Sequence, residues 1–297
     1  MNASLHLKDE VKIIDTCSLC DNNKKDIITR MSGGPVGTRV IFKNHDTGEI
    51  LGEYHNKVVI TGSQFNAMSV FGIKDTLVTF PSYNKEMNLD YKSAKPEPLN
   101  TPIVCLFCVS DSGCGEKPQD IFVSSYTDRI KPAPANPSSI SEFTSDMIMP
   151  FRFVDANKDI SDDLRNYYFG KKTFDKLGKI GYYFKKFDTD PQLHLRYADG
   201  TQITDNIYNI NTEQSAECYV EMRLRITRLD FRDYFESVLG WDKARISSMS
   251  LCFAWYDNTI DQYVYFQDIT PYTILNFNYQ WLVDLDTAID ILYQIYY

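Results

Sequence analysis

The chain has 297 residues, a hydrophobic fraction of 43% and a formal net charge of -9. That length suits one large or two ordinary domains, and so much apolar sequence excludes a disordered chain. An acidic balance without a dense Lys/Arg block excludes a general grip on nucleic-acid phosphates, and no apolar run approaches the roughly 20 residues of a membrane-spanning helix.

Met1 to Glu10 lacks the charged-then-apolar layout of a secretion signal. A reducing cytosol is therefore expected, with the seven cysteines as free thiols. Val11–Ile14 is a candidate short strand, and Ser32-Gly-Gly-Pro-Val-Gly37 a flexible loop. Arg39–Lys43, the turn His45-Asp-Thr-Gly48 and Glu49–Tyr54 predict a hairpin. A third strand is expected over Lys57–Ile60, then a short helix over Gln64–Phe71, N-capped by Ser63 and stopped by Gly72. Pro102–Val109 is a continuous apolar run, as in a strand buried on both faces. Another strand is expected within Asp120–Ile130.

Lys131-Pro-Ala-Pro-Ala-Asn-Pro-Ser-Ser139 reads as a stiff connector. It predicts a mixed, mostly β lobe over residues 1–130, a linker over 131–142 and a second lobe over 143–297. In the second lobe, strands are expected at Met147–Val154, Lys179–Phe187, Leu193–Tyr197, Ala216–Thr227, Ser248–Tyr256 and Gln262–Phe266. Short helices are expected at Ser161–Gly170 and Asp230–Leu239. Ala216–Thr227 alternates, with Cys218, Val220, Met222, Leu224 and Ile226 inward and Tyr219, Glu221, Arg223 and Arg225 outward. Many short strands with regular turns give a mainly β fold, with a β-sandwich or jelly-roll-like C-terminal domain and a few short helices.

The last ten residues alternate right to the end: Ile289, Ile291, Tyr293 and Ile295 share one face. An end this apolar needs a cover, from a sheet or an interface. Tyr293, Ile295, Tyr296 and Tyr297 are the candidate interface residues.

Chemistry is harder to find. Cys17–Cys20 and Cys105–Cys108 are two CxxC pairs, and two such pairs can build a tetrahedral zinc site. Cys105 and Cys108, however, lie in a strand pattern, where positions three apart face opposite ways. Of the two, Cys17–Cys20 has the better turn. Neither a metal nor a cofactor is expected. His6, His45, His55 and His194 are scattered, and the acidic pairs Asp155/Asp159, Asp162/Asp163, Asp188/Asp190 and Asp284/Asp286 suit turns and helix starts. Arg223, Arg225 and Arg228 could meet an acidic partner or pair with acids on a solvated sheet face. No nucleophile elbow, phosphate loop or dinucleotide fingerprint is present in the sequence.

Four blocks stand out: Tyr167-Tyr-Phe-Gly-Lys-Lys172, Gly181-Tyr-Tyr-Phe-Lys-Lys-Phe-Asp188, Tyr265-Phe-Gln-Asp-Ile-Thr-Pro-Tyr-Thr-Ile-Leu-Asn276 and Ile289–Tyr297. With His55-Asn-Lys-Val-Val-Ile-Thr-Gly-Ser-Gln-Phe65 they resemble virion structural proteins of large tailed bacteriophages. The resemblance implies a non-enzymatic subunit of the tail, baseplate or head–tail neck, made in the host bacterial cytoplasm and joined to copies of itself and other virion proteins. It brings no catalytic residues. The alternative is a carbohydrate- or receptor-binding β-sandwich, for which exposed Trp or Tyr platforms would be the sign. Trp241, Trp255 and Trp281 look core-like in sequence. An enzyme would instead show converging carboxylates in a pocket.

Overall fold

The computed structural model describes residues 37–58, 83–88, 102–117, 120–125, 127–197, 199–202, 216–257, 265–283 and 288–296. The fold is mainly β, with two sheets packed together as in a β-sandwich.

The first sheet has the order β7 (Gln192–Tyr197), β8 (Ala216–Thr227), β12 (Ala288–Tyr296), β1 (Gly37–Asn44), β2 (Ile50–Val58), antiparallel throughout. The expected hairpin is β1–β2. Its turn is closed by Gly48, whose N–H donates to the Asn44 carbonyl at φ +69°, a conformation that favours glycine. The strand begun at Ile50 runs on to Val58, so Lys57–Val58 extends β2 and is not a third strand; residues 59–60 lie outside the described residues.

The second sheet is built on β9 (Arg245–Asp257). One edge of β9 pairs with β3 (Pro102–Ser110). The other takes β10 (Tyr265–Pro271) and then β11 (Thr273–Trp281) in succession. Beyond β3 lies β6 (Lys179–Lys186), flanked by β4 (Arg152–Asp155) and β5 (Tyr168–Phe174). The sheets meet at a corner where Thr273 and Ile274 of β11 pair with Val58 and Lys57 of β2.

Both sheets contain strands from either side of Lys131–Ser139: β1 pairs with β12, and β3 pairs with β9 and β6. The layers therefore do not correspond to residues 1–130 and 143–297, and the Pro-rich stretch is no hinge between lobes. Ile130 and Ala133 are buried, and Ile148 donates its N–H to the Lys131 carbonyl at 2.7 Å. Prolines stiffen this segment while it lies against the core.

The short elements differ in part from expectation. Ser161–Gly170 is not a helix. A single 3-10 turn, Leu164–Asn166, leads directly into β5, whose Tyr168, Phe169 and Phe174 are buried. Aromatic side chains packed on a sheet outweigh the capping signal. Among the described residues of Asp120–Ile130, the strand pairing is limited to an isolated bridge, Cys114 to Ile121. Two α-helices are described, α1 (Tyr83–Met87) and α2 (Arg232–Val238). The second follows Phe231, at φ +64°, and ends before Gly240, at φ +94°. Val11–Ile14 and Gln64–Phe71 lie outside the described residues. Among the described residues, no helix is long and apolar enough to cross a membrane.

One core fills the space between the layers. Phe42 of β1 meets Phe277 of β11 at 4.9 Å between ring centroids. Phe143, Phe153, Phe174 and Tyr234 pack edge-to-face, which seats α2 against β4. A buried polar knot also ties the layers. Lys185 of β6 donates to Asp230 (2.7 Å) and to the Arg225 carbonyl (2.8 Å), and the Tyr168 hydroxyl and the Thr227 N–H donate to the same carboxylate. Fully buried Asp230 is thus satisfied on both oxygens, which is what makes its burial tolerable.

Candidate functional site

The residues singled out in the sequence scatter over this fold. Cys105 and Cys108 are both buried in β3. Burial pushes both thiols up, so they remain neutral and poor metal ligands. Cys108 Sγ lies 3.9 Å from Cys252 Sγ. Cys17 and Cys20 lie outside the described residues. Among the described residues, no group of three or more His, Cys, Asp or Glu is placed to hold a metal.

Tyr293 and Ile295 are corrected from interface to interior. They are 0% and 2% exposed within this one chain, and the Tyr293 hydroxyl bonds Thr273 Oγ1 at 2.7 Å. The cover that the terminal strand needed comes from β1 and β8 on its two edges and from the opposite sheet. Tyr296 pairs through its backbone with Gly37 and Tyr219, and Tyr297 lies outside the described residues.

Several of the charged candidates are held in local pairs, while His6, Asp284 and Asp286 lie outside the described residues. On the outer face of the first sheet, Asp290 accepts from Arg225 (2.8 Å) and pairs with His45 (2.7 Å). Arg225 also reaches Asp188 at 3.6 Å. Burial raises the Asp290 carboxyl, but the Arg225 and His45 hydrogen bonds outweigh it, leaving Asp290 below the ordinary carboxylate range. Asp159 accepts from Lys171 (2.8 Å) and Tyr182 (2.5 Å), while Asp155 pairs with Lys179. Turn and sheet-face roles account for these acids.

A different region gathers exposed apolar and aromatic side chains on a fixed frame. After β3 the chain turns through Asp111-Ser-Gly-Cys-Gly115 and returns along Asp120-Ile-Phe-Val123. The Phe122 N–H donates to the Gly113 carbonyl (2.9 Å), and the Gly115 N–H to that of Asp120 (2.9 Å). Asn276 of β11 donates to the Phe122 carbonyl (3.0 Å). Gly113 sits so close to β9 that a Cβ there would lie 1.7 Å from the Ser247 carbonyl oxygen, so only glycine fits. Its N–H donates to Ser247 Oγ (2.8 Å). The loop is thereby pinned, yet Ile121, Phe122 and Val123 are 37%, 53% and 81% exposed.

At the base of the loop, Asp111 accepts from Arg245 Nε (2.8 Å) and Ser247 Oγ (3.1 Å). Burial is the larger influence on Asp111 and leaves its carboxyl above the usual range despite Arg245. The Arg245 guanidinium lies 3.7 Å from the centroid of the Tyr279 ring and 5.4 Å from that of Trp281. The Tyr279 hydroxyl donates to the Gly115 carbonyl (2.6 Å), and its pKa is pushed up to about 12, chiefly by burial. Trp281, core-like in sequence, is 42% exposed. Loop, cation and rings thus form one surface at the β9–β11 end of the second sheet. Sequence reasoning missed this surface. The available signal was the Gly-rich turn Asp111–Gly115 after a buried strand, followed by an apolar triplet.

No family model, no curated protein and no solved structure matches this chain.

Proposed function

We propose that the chain is a non-enzymatic structural subunit of a tailed-phage virion, in the tail, baseplate or head–tail neck. It joins copies of itself and other virion proteins through extended protein–protein interfaces. The observation that supports this reading is the pinned loop carrying Ile121, Phe122 and Val123 into solvent. Leaving these side chains partly exposed forgoes a share of the roughly 1.5–3 kcal/mol that full burial of each would gain. An ordered contiguous patch of this kind marks a contact site. Because hydrogen bonds and Gly113 already hold its backbone, the loop loses little freedom when a partner covers it. The phage assignment itself rests on the resemblance of the aromatic blocks.

Mass spectrometry of purified particles, with an antibody to the chain located by electron microscopy, tests the reading. It expects the chain in the mature particle at a fixed copy number in the tail, baseplate or neck. Infected cells in which the chain is abundant but absent from particles would refute it.

A second reading, a carbohydrate- or receptor-binding sandwich, is favoured by one specific observation, the exposed ring of Trp281 beside Arg245.

A further inference from the structure

We propose that Trp281, Tyr279 and Arg245 form a saccharide-binding shelf that takes one pyranose ring of an oligosaccharide against the partly exposed ring of Trp281. The inference rests on the second reading above, the carbohydrate-binding sandwich, and does not depend on the virion reading.

Arg245 and Tyr279 are held in place before any ligand arrives. Asp111, with its side chain 5% exposed, holds Arg245 by the Nε–H, and the Arg245 guanidinium lies over the Tyr279 ring, 3.7 Å from its centroid. Tyr279 is anchored at its far end through its hydroxyl to Gly115. Trp281 stands beside it, with 6.3 Å between ring centroids and 48° between ring planes. A ligand therefore meets a preorganised surface and little side-chain freedom is lost on binding.

The chemistry of the shelf is two-sided. Trp281 offers an apolar π-face whose negative quadrupole attracts the polarised C–H groups of a sugar ring. Next to it the Arg245 guanidinium carries five N–H donors, one of which Asp111 engages. A pyranose has the matching form: one face of axial C–H bonds and a rim of hydroxyl acceptors. Size points the same way. An aromatic side chain buries about 150–250 Å², whereas a standard protein contact covers about 800 Å² on each partner. By themselves, apart from the Ile121–Val123 loop, the ring of Trp281 and the Arg245 cation offer an area that matches one sugar unit.

The full-length protein is applied to an array of immobilised oligosaccharides covering hexoses, deoxyhexoses, N-acetylhexosamines and uronic acids. The strongest binder is then titrated in solution by calorimetry and tryptophan emission. The expected result is a dissociation constant of about 1 mM or tighter. Trp281→Ala weakens it at least about tenfold, while Trp281→Phe, which keeps an aromatic face, weakens it less. Trp281 is already 42% exposed, so melting curves of both variants should match the parent. If Trp281→Ala alters the melt, ligand quenching of emission in the parent and its absence in Trp281→Phe tests the same contact. An array with no binder overturns the proposal, as does binding that survives Trp281→Ala. If Trp281→Ala instead blocks particle assembly while saccharide binding persists, the shelf is a protein contact and the proposal fails.

Discussion

Two apolar stretches of this chain meet opposite fates. Ala288–Tyr296 is an alternating strand at the chain's end, and its Ile289, Ile291, Tyr293 and Ile295 are at most 2% exposed. Ile121-Phe122-Val123 lies mid-chain between turns, and its side chains are 37–81% exposed. The first pairs on both edges, with β1 and β8. The second pairs only through one isolated bridge and a few loop hydrogen bonds. Apolar sequence alone does not separate core from exposed surface. What separates them is the number of edges and faces that the rest of the fold can cover.

The sharpest way to break this comparison is to remove β12. Deleting residues 288–297 strips the central strand of the first sheet and leaves β1 and β8 facing each other across a gap. The expected outcome is no folded monomer, read as loss of a cooperative melt and of soluble protein. A milder cut, Ile291→Ala, should cost about 2–5 kcal/mol in denaturant unfolding, because the site is enclosed and collapses poorly. A loss below about 1 kcal/mol would mean that β12 is not the core strand described above.

The knot between the layers gives the next largest effect. Lys185→Met leaves the carboxylate of Asp230, at 0% exposure, without its cation. About 3–5 kcal/mol should be lost, and Asp230→Asn in the same chain should restore part of it, since the pair as a unit contributes far less than either half left alone. A double variant whose loss equals the sum of the two single losses would show that the pair is not coupled.

The first sheet was largely legible because one of its faces is wet. Ala216–Thr227 alternates, and Met222, Leu224 and Ile226 are buried while Arg223 is exposed, as the period of two requires. Pro102–Val109 was legible for the converse reason, a continuous apolar run; Cys105–Val109 is buried on both faces, while Ile103 is exposed. The lobe boundary was misleading. Composition reveals a stiff segment at Lys131–Ser139, but strand pairing across it is long-range and leaves no local mark. β5 was hidden by Ser161-Asp-Asp, which mimics a helix start, and β11 by its closeness to β10, with only Tyr272 between them. Of the candidate site, the aromatic and apolar residues were visible but not their exposure. Trp281 and Arg245 become neighbours only through the β9–β11 register.

A smaller effect comes with pH. Burial raises the Asp159 carboxyl, but hydrogen bonds from Lys171 and Tyr182 outweigh this and hold it below the ordinary aspartate range. The folded value is thus the lower one. Its contribution is fully present above the unfolded value of about 3.9 and is lost as pH falls through the folded value. Melting temperature should drop as pH falls below about 4, and Asp159→Asn should flatten that acid limb. An unchanged acid limb in the variant would show that Asp159 is not among the groups responsible.

The smallest effect on stability should accompany the largest effect on assembly. Val123→Asp and Phe122→Asp place a charge on side chains already 81% and 53% exposed. Neither disturbs the backbone bonds that pin the loop, which run through the Phe122 N–H and carbonyl. Unfolding free energy should therefore stay within about 0.5 kcal/mol of the parent. If this loop is a subunit contact, each aspartate would be desolvated without a partner when the particle assembles, and particle yield should fall steeply. The control is Lys176→Asp on a solvated turn, which should leave both quantities unchanged. Normal particle yield from Val123→Asp and Phe122→Asp would remove the loop from the interface. A large loss of stability would instead mean that Phe122 and Val123 belong with β12, as core.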